Sequence, residues 1–216
     1  MTARIKIDFV SDVSCPWCAV GLYSLERALA RLDGEVQAEI HFQPFELNPD
    51  MAPEGQDTVE RLSRKYGMTP EQVRRNGEAI TARGHEVGFT FNMDKRTRTY
   101  NTFDAHRLLH WAGLEGHQLE LKRALLKAYF TDGENVGAHD VLVRLCGESG
   151  LDARRAQEIL DADDYAADVR ERERFYTEHG IDSVPSIILN DRHLIQGGQG
   201  PDTFEQALRQ VATSMV

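Results

Sequence analysis

The sequence predicts an α/β fold that opens β-α-β, runs through a long helical block and closes β-β-α. Three observations carry this expectation. Two alternating apolar stretches, Ile5-Lys6-Ile7-Asp8-Phe9-Val10 and Val36-Gln37-Ala38-Glu39-Ile40-His41-Phe42-Gln43, flank a helical stripe at Leu22, Leu25, Leu29 and Leu32, and strand–helix–strand in that order implies parallel strands. About 120 residues then follow in which apolar side chains recur mostly at helical spacing. Strand signals return at Ser186-Ile187-Ile188-Leu189 and His193-Leu194-Ile195, ahead of a last helical stripe.

Taken in order, the first strand covers residues 5–10 and the first helix residues 16–32, ending at Asp33-Gly34. The second strand covers residues 36–43. Pro44, Pro49, Pro53 and Gly55 mark a loop. Asp57-Thr58-Val59-Glu60 and Thr69-Pro70-Glu71-Gln72 read as capping boxes that start two helices, the second with proline at its first helical position. Gly84 and Gly88 are expected to break the helical pattern, leaving residues 89–100 extended or in a loop, with helices resuming near Asn101. Leu121, Ala124, Leu125, Ala128 and Tyr129 form one helical stripe, and Val141, Leu142, Leu145 and Cys146 another. Asp152 is expected to cap a further helix. From Asp163 to His179 runs a charged helix whose Arg170-Glu171-Arg172-Glu173-Arg174 reads as a solvated face. Asn190-Asp191 is a turn between the last two strands, and Gly197-Gly198-Gln199-Gly200 a loop. Asp202-Thr203-Phe204-Glu205 is expected to cap a final helix with Phe204, Ala207, Leu208, Val211 and Ala212 on one face.

At 216 residues with 41% hydrophobic content the chain is long enough for one large domain, or a domain with an insert. Lys and Arg number 25 against 35 Asp and Glu, a net charge of −10. That balance argues against nucleic-acid binding, which requires a basic face. No apolar run reaches the roughly 20 residues that span a bilayer, so no membrane partner is expected. Met1-Thr2-Ala3-Arg4-Ile5-Lys6 leads straight into the first strand without a charged, apolar and cleavable leader, which points to a cytoplasmic protein. Three cysteines in that compartment do not form a disulfide framework.

Cys15 and Cys18 are the closely spaced pair, in Val13-Ser14-Cys15-Pro16-Trp17-Cys18. They stand where the first strand hands over to the first turn of a helix. Unpaired backbone N–H groups and the positive end of the helix dipole favour an anion there. A thiolate is such an anion, and this placement can lower a cysteine pKa to about 3.5–7.5. Pro16 suits the first helical position, where an N–H is not needed. The pair therefore reads as a thiol–disulfide redox site. The competing reading is half of a zinc site, which requires four ligands. The sequence has no second C-x-x-C, and His106 and His110, four apart, have no cysteine near them in sequence, so no metal is expected.

The order of elements, with C-x-x-C at the first helix and Val-Pro before the third strand, resembles the thioredoxin fold carrying a large all-helical insertion. The chain is similar to the DsbA-type thioredoxin family, in its FrnE-like branch. The resemblance is carried by Ser14-Cys15-Pro16-Trp17-Cys18, Pro44-Phe45-Glu46-Leu47-Asn48-Pro49, Asn101-Thr102-Phe103-Asp104-Ala105-His106-Arg107-Leu108, Ser183-Val184-Pro185 and Gly197-Gly198-Gln199. It implies a discontinuous thioredoxin-like domain from residues 1–50 and 181–216 and a helical insertion over residues 51–180, lying over the active site. It implies that Cys15 is the exposed nucleophile, that Cys18 is the buried resolving thiol, and that Pro185 is cis beside the Cys15 sulfur. Val184 would offer its backbone to an extended peptide or to glutathione, with Pro16 and Trp17 completing the binding surface. The implied activity is that of a protein disulfide oxidoreductase or isomerase. Its partners would be protein or small-molecule disulfides and dithiols, with glutathione a possible co-substrate and no cofactor tightly bound. A sister family, the kappa-type glutathione transferases and 2-hydroxychromene-2-carboxylate isomerases, shares the architecture and typically has Ser where this chain has Cys15. A glutathione-dependent isomerase or transferase acting on an aromatic or polyketide-like small molecule is therefore the alternative.

Other residues have plainer expectations. Trp17 either shapes a substrate groove or simply packs beside the thiols. Asp12 is expected to satisfy loop backbone rather than face the thiol. Glu46 is expected on an exposed loop, its alternative being a buried acid that relays a proton to Cys18. Cys146 lies on an apolar stripe and reads as an inert core thiol. Lys95, Arg96 and Arg98 read as a solvated loop, and His106 as a helix-packing residue.

Overall fold

A computed structural model describes residues 2–214. Met1 and the last two residues lie outside the described residues, and with them the outermost ends of the 1–50 and 181–216 segments. In chain order the elements begin with β1 (Ala3–Ser11), α1 (Pro16–Arg31), β2 (Val36–Pro44), β3 (Gln56–Asp57), α2 (Thr58–Tyr66), α3 (Pro70–Val87) and β4 (Arg98–Thr99). There follow α4 (Phe103–Leu114), α5 (Gln118–Lys127), a wide π-helical turn over Ala128–Asp132, α6 (His139–Glu148), α7 (Ala153–Asp161) and α8 (Ala166–Glu178). The chain closes with β5 (Ser186–Leu189), β6 (His193–Gln196) and α9 (Pro201–Ser214).

The main sheet has the order β2-β1-β5-β6. β1 and β2 pair in parallel, from Ala3 opposite Val36 to Ser11 opposite Pro44. β5 runs antiparallel to β1, and β6 antiparallel to β5. This is the topology of the thioredoxin fold. β1 is central and covered on both faces. Ile5, Ile7 and Phe9 join α1 and the Phe204, Leu208 and Val211 face of α9 in one large buried cluster, while Val10 points the other way against Tyr176 and Ile181. The large cluster continues without a break into α4, α5, α6 and α7 through Leu108, Leu121, Leu125, Leu142 and Ile159.

Several boundaries differ from the sequence expectation. Gly84 does not break α3, which runs on to Val87 and ends at Gly88 in the left-handed region with φ 88°. Gly84 is there for close approach. A Cβ at this position would lie 2.3 Å from the Phe91 ring and 2.8 Å from the Phe89 carbonyl oxygen. Phe89, Phe91 and Phe130 pack edge-on at this point, with centroids 4.6 Å and 5.2 Å apart for the consecutive pairs. Residues 89–100 are the expected loop, but Arg98–Thr99 forms a two-residue ladder with Gln56–Asp57, too short to leave an alternation. The stripe through Tyr129 is not one regular helix. It widens after Lys127, and the wide turn buries Tyr129 and Phe130 side by side. The last helix begins at Pro201, so Asp202 stands in its first turn and is not its cap; proline at the first position displaced the capping box. The capping box at Thr69 and Gln72 and the cap of Asp152 onto Arg154 and Arg155 are present.

Helix propensity alone would make Gly84→Ala stabilising by about 1 kcal/mol. The contact with Phe91 and the Phe89 carbonyl reverses the sign, and a loss on the order of 2 kcal/mol is expected. Urea denaturation measures it; a neutral or stabilised variant would contradict the packing described.

Candidate functional site

β1 ends at Ser11, and a tight turn delivers the thiols. Cys15 N–H donates to the Asp12 carbonyl at 3.3 Å, and Cys18 N–H donates to the Cys15 carbonyl at 3.1 Å. Cys15 is the N-cap of α1, extended at φ −93° and ψ 115°, with Pro16 at the first position. The Cys15 sulfur thus stands at the positive end of a 16-residue helix. Cys18 is fully buried, and Cys15 is only 5% exposed. The expectation of an exposed nucleophile is corrected. The loop before β5 folds across Cys15, with the Val184–Pro185 peptide bond cis and the Val184 carbonyl oxygen 3.6 Å from Cys15 Sγ.

Two glycines allow this closure. A Cβ on Gly21 of α1 would stand 3.3 Å from Pro185 Cγ and 3.6 Å from Gly198 Cα. A Cβ on Gly198 would lie 2.8 Å from the Trp17 carbonyl oxygen and 3.1 Å from the Trp17 ring. The Gly197 N–H donates to the Pro185 carbonyl at 2.8 Å. Helix α1, the Val184–Pro185 loop and the Gly197-Gly198 loop therefore meet closely because Gly21 and Gly198 carry no side chain there. Trp17 lies on the rim, 38% exposed.

The two thiols ionise unequally. The Cys18 thiol lowers the Cys15 pKa by donating to its sulfur, against the opposing effect of burial, and the N–H groups of Cys18 and Trp17 add to the lowering. Burial first, and then the neighbouring Cys15, push Cys18 well above the ordinary thiol range. Asp12 is buried and accepts from Ser14 N–H at 3.2 Å, Ser14 Oγ at 3.0 Å and Leu47 N–H at 2.8 Å. It therefore satisfies loop backbone, as expected. Burial pushes its carboxyl up, but His106 and these N–H groups outweigh that and hold it at about 2. His106 is buried with Nε2 3.6 Å from Asp12 Oδ1.

Two lysines near the thiols escaped sequence reading. Lys122 of α5 is 1% exposed, and its Nζ has no hydrogen-bond partner among the described residues. Burial lowers its pKa, and the charges of Cys18, Asp12 and Cys15 oppose the lowering. Its only sequence signal is the helical spacing from Gln118, whose side chain also turns inward and bonds the backbone of Phe42. Lys65 of α2 is exposed, donates to the Leu47 carbonyl at 2.9 Å, and lies within electrostatic reach of Cys15.

Glu46 is not on an exposed loop: its side chain is 2% exposed. Burial and then the neighbouring Glu173 push its carboxyl up to about 7, against the Arg170 guanidinium 2.8 Å from Oε1. Arg170 lies over the Phe103 ring at 3.8 Å and also pairs with Glu173. The face expected to be solvated is therefore solvated at Glu171, Arg172 and Arg174 but anchored at Arg170 and Glu173. Lys95 and Arg98 are exposed, whereas Arg96 stacks on Tyr129 and Phe130 and donates to the Tyr129 hydroxyl. Cys146 is fully buried, and burial pushes its thiol up to about 12, an inert core position. Among the described residues no three His, Cys, Asp or Glu side chains gather as metal ligands would.

Comparison with known proteins places this geometry. The family model of the DSBA-like thioredoxin domain matches residues 6–209. The chain is 31% identical over 209 residues to YwbO of Bacillus subtilis (strain 168), covering 96% of each. Its structure is similar to that of a probable DsbA oxidoreductase from Streptomyces coelicolor, with 33% identity, a TM-score of 0.89, and coverage of 97% of this chain and 90% of the other. It shares its fold with the cytosolic disulfide reductase DsbM from Pseudomonas aeruginosa, solved with GSH, at 18% identity and a TM-score of 0.64 over 96% of this chain and 99% of that one.

The raised carboxyl of Glu46 makes stability depend on pH. The folded state holds its proton up to about 7, while the ordinary value is 4.5. Between these values the folded chain binds more protons than the unfolded one, so this contribution, complete below 4.5, is lost as pH rises through about 7. Urea midpoints measured across that range are expected to fall more steeply with pH in the wild type than in Glu46→Gln. Equal slopes would show that Glu46 ionises normally.

Proposed function

The chain belongs to the DSBA-like thioredoxin domain family, and from that premise we propose that it is a thiol–disulfide oxidoreductase whose reacting atoms are the sulfurs of Cys15 and Cys18. The unequal ionisation of the two thiols at the head of α1 carries this reading. The Cys15 thiolate attacks one sulfur of a substrate disulfide. A mixed disulfide forms, and the other substrate sulfur leaves as a thiolate that takes up a proton. Cys18 then loses its proton and attacks Cys15 Sγ. The substrate leaves with its second thiol, and two electrons have passed from the dithiol to the substrate. Run backward, the same steps hand the Cys15–Cys18 disulfide to a substrate dithiol, and alternation of the two directions isomerises disulfides.

The surface around the sulfur suits an extended partner. Val184 presents its backbone beside Cys15, in the manner of a strand edge, and Pro16, Trp17 and Pro185 frame it. Protein or small-molecule disulfides and dithiols are the proposed substrates. Glutathione is the proposed co-substrate that resets the pair, with Lys65 near Cys15 to receive a carboxylate. No cofactor need remain bound between turnovers. Three cysteines, one of them buried and inert, suit a reducing cytoplasm.

Cys15→Ser is expected to reduce turnover of a protein disulfide to the uncatalysed rate, because serine is far less acidic than this thiol. Cys18→Ser is expected to accumulate a Cys15 mixed disulfide visible by mass spectrometry under non-reducing conditions. Full activity in Cys15→Ser would overturn the assignment.

In the reduced protein, iodoacetamide is expected to modify Cys15 first, with a pH midpoint below the ordinary value of 9.0. Cys18 and Cys146 should react only after unfolding. Prior modification of Cys18 would reverse the roles.

A further inference from the structure

A cavity of about 290 Å³ opens at the free edge of β2, where α4, α5 and α8 converge on it. Its floor is the buried end, with Lys122, His106 and Leu109. Its mouth carries His110 and the exposed Arg172, and the Phe42 ring forms part of the wall. No carboxylate side chain is among its lining residues, although the whole chain carries a net charge of −10. The acids nearest these groups are already engaged. Asp12 is bonded to Ser14 and Leu47 and faces His106. Glu39 pairs with His41 at 3.1 Å, and Asp168 acts on His110 from α8.

The side-chain nitrogen of Lys122 is the group without a direct partner among the described residues; only the longer-range influence of Cys18, Asp12 and Cys15 reaches it. It is 1% exposed, it has no hydrogen-bond partner among the described residues, and the Phe42 ring centroid is 5.5 Å from it. Burying a cation without a partner is costly. A leucine or methionine would fill the same place at no such cost. An anion in the cavity would complete the site. The volume is too large for a bare oxyanion and falls at the small end of metabolite pockets. The walls offer apolar surface from Phe42 and Leu109 besides the nitrogen donors.

We propose that this cavity binds a small organic anion, its carboxylate or phosphate held by Lys122 with Arg172 at the mouth and its apolar body against Phe42 and Leu109. The site is separate from the Val184–Pro185 surface that faces Cys15.

The test is calorimetric titration of the full chain with benzoate and with phenyl phosphate, alongside acetate and inorganic phosphate as headgroups without a body. One of the two larger probes is expected to bind one to one and to raise the melting temperature. The preferred headgroup identifies the oxyanion. Lys122→Met, which matches the side chain in length and removes the unpaired charge, is expected to weaken binding at least about tenfold, as loss of a charged hydrogen bond does. Arg172→Gln, at an exposed position where folding is not at risk, is expected to weaken it at least about threefold through loss of a mouth charge. Absence of saturable binding by both larger probes up to about 10 mM, or unchanged affinity in both variants, would overturn the proposal. Because the readout is binding, it stands or falls independently of disulfide exchange.

Discussion

Everything at this site depends on one placement: a thiol held as the N-cap of a helix. Cys15 takes an extended conformation at the end of a turn from the central strand, and Pro16 starts α1 without an N–H to satisfy. The backbone N–H groups of the first turn then point toward sulfur. They add to the Cys18 thiol in favouring its anion, whereas burial and the neighbouring Cys15 push the second thiol, one turn along, well above the ordinary range. Two cysteines of identical chemistry thereby ionise in opposite directions from the ordinary thiol value. The loops that cover them are admitted by the absence of side chains at Gly21 and Gly198.

The helices between β2 and β5 do more than cover the sheet. They supply buried polar side chains, His106 of α4 beside Asp12 and Lys122 of α5. Arg170 and Glu173 of α8 reach Glu46 on the loop after β2. Buried ionisable groups are expensive in a protein interior, and unpaired ones more so. Their concentration between the sheet edge and these helices contrasts with the apolar packing of α1 against α9. That asymmetry puts the buried polar groups on one flank of the cysteine pair and the apolar packing on the other.

The legible part of the sequence was the part written in periodicity and punctuation. Alternation in β1 and β2, the stripe in α1, the proline and cysteine pair at its head, and Val184-Pro185 before β5 place the fold and bring the cysteine pair beside the cis-proline loop. What was hidden has local physical causes. Lys122 follows Leu121 on a helix that otherwise reads as half solvated, and nothing in its own neighbourhood says that its face is turned inward. Glu46 sits among prolines, as loop residues do, but the loop is pinned under Arg170 from a helix 124 residues away. Gly84 reads as a helix breaker because propensity is local, whereas its reason is the aromatic cluster of Phe89 and Phe91 packed onto the helix. The wide turn at Ala128–Asp132 comes from burying two adjacent aromatic rings, a tertiary demand that a helical stripe conceals.

The central claim is that Cys15 and Cys18 work as one reversible couple. The most direct measurement is their redox equilibrium in glutathione buffers of graded ratio, with free thiols trapped by alkylation and read by mass. The account predicts an intramolecular Cys15–Cys18 disulfide that forms and reverses as a two-electron step, with a potential inside the span of about −120 to −270 mV that thioredoxin-fold dithiols cover. Retention of glutathione on the protein without any Cys15–Cys18 disulfide, at every ratio, would contradict it and favour a glutathione-dependent isomerase or transferase.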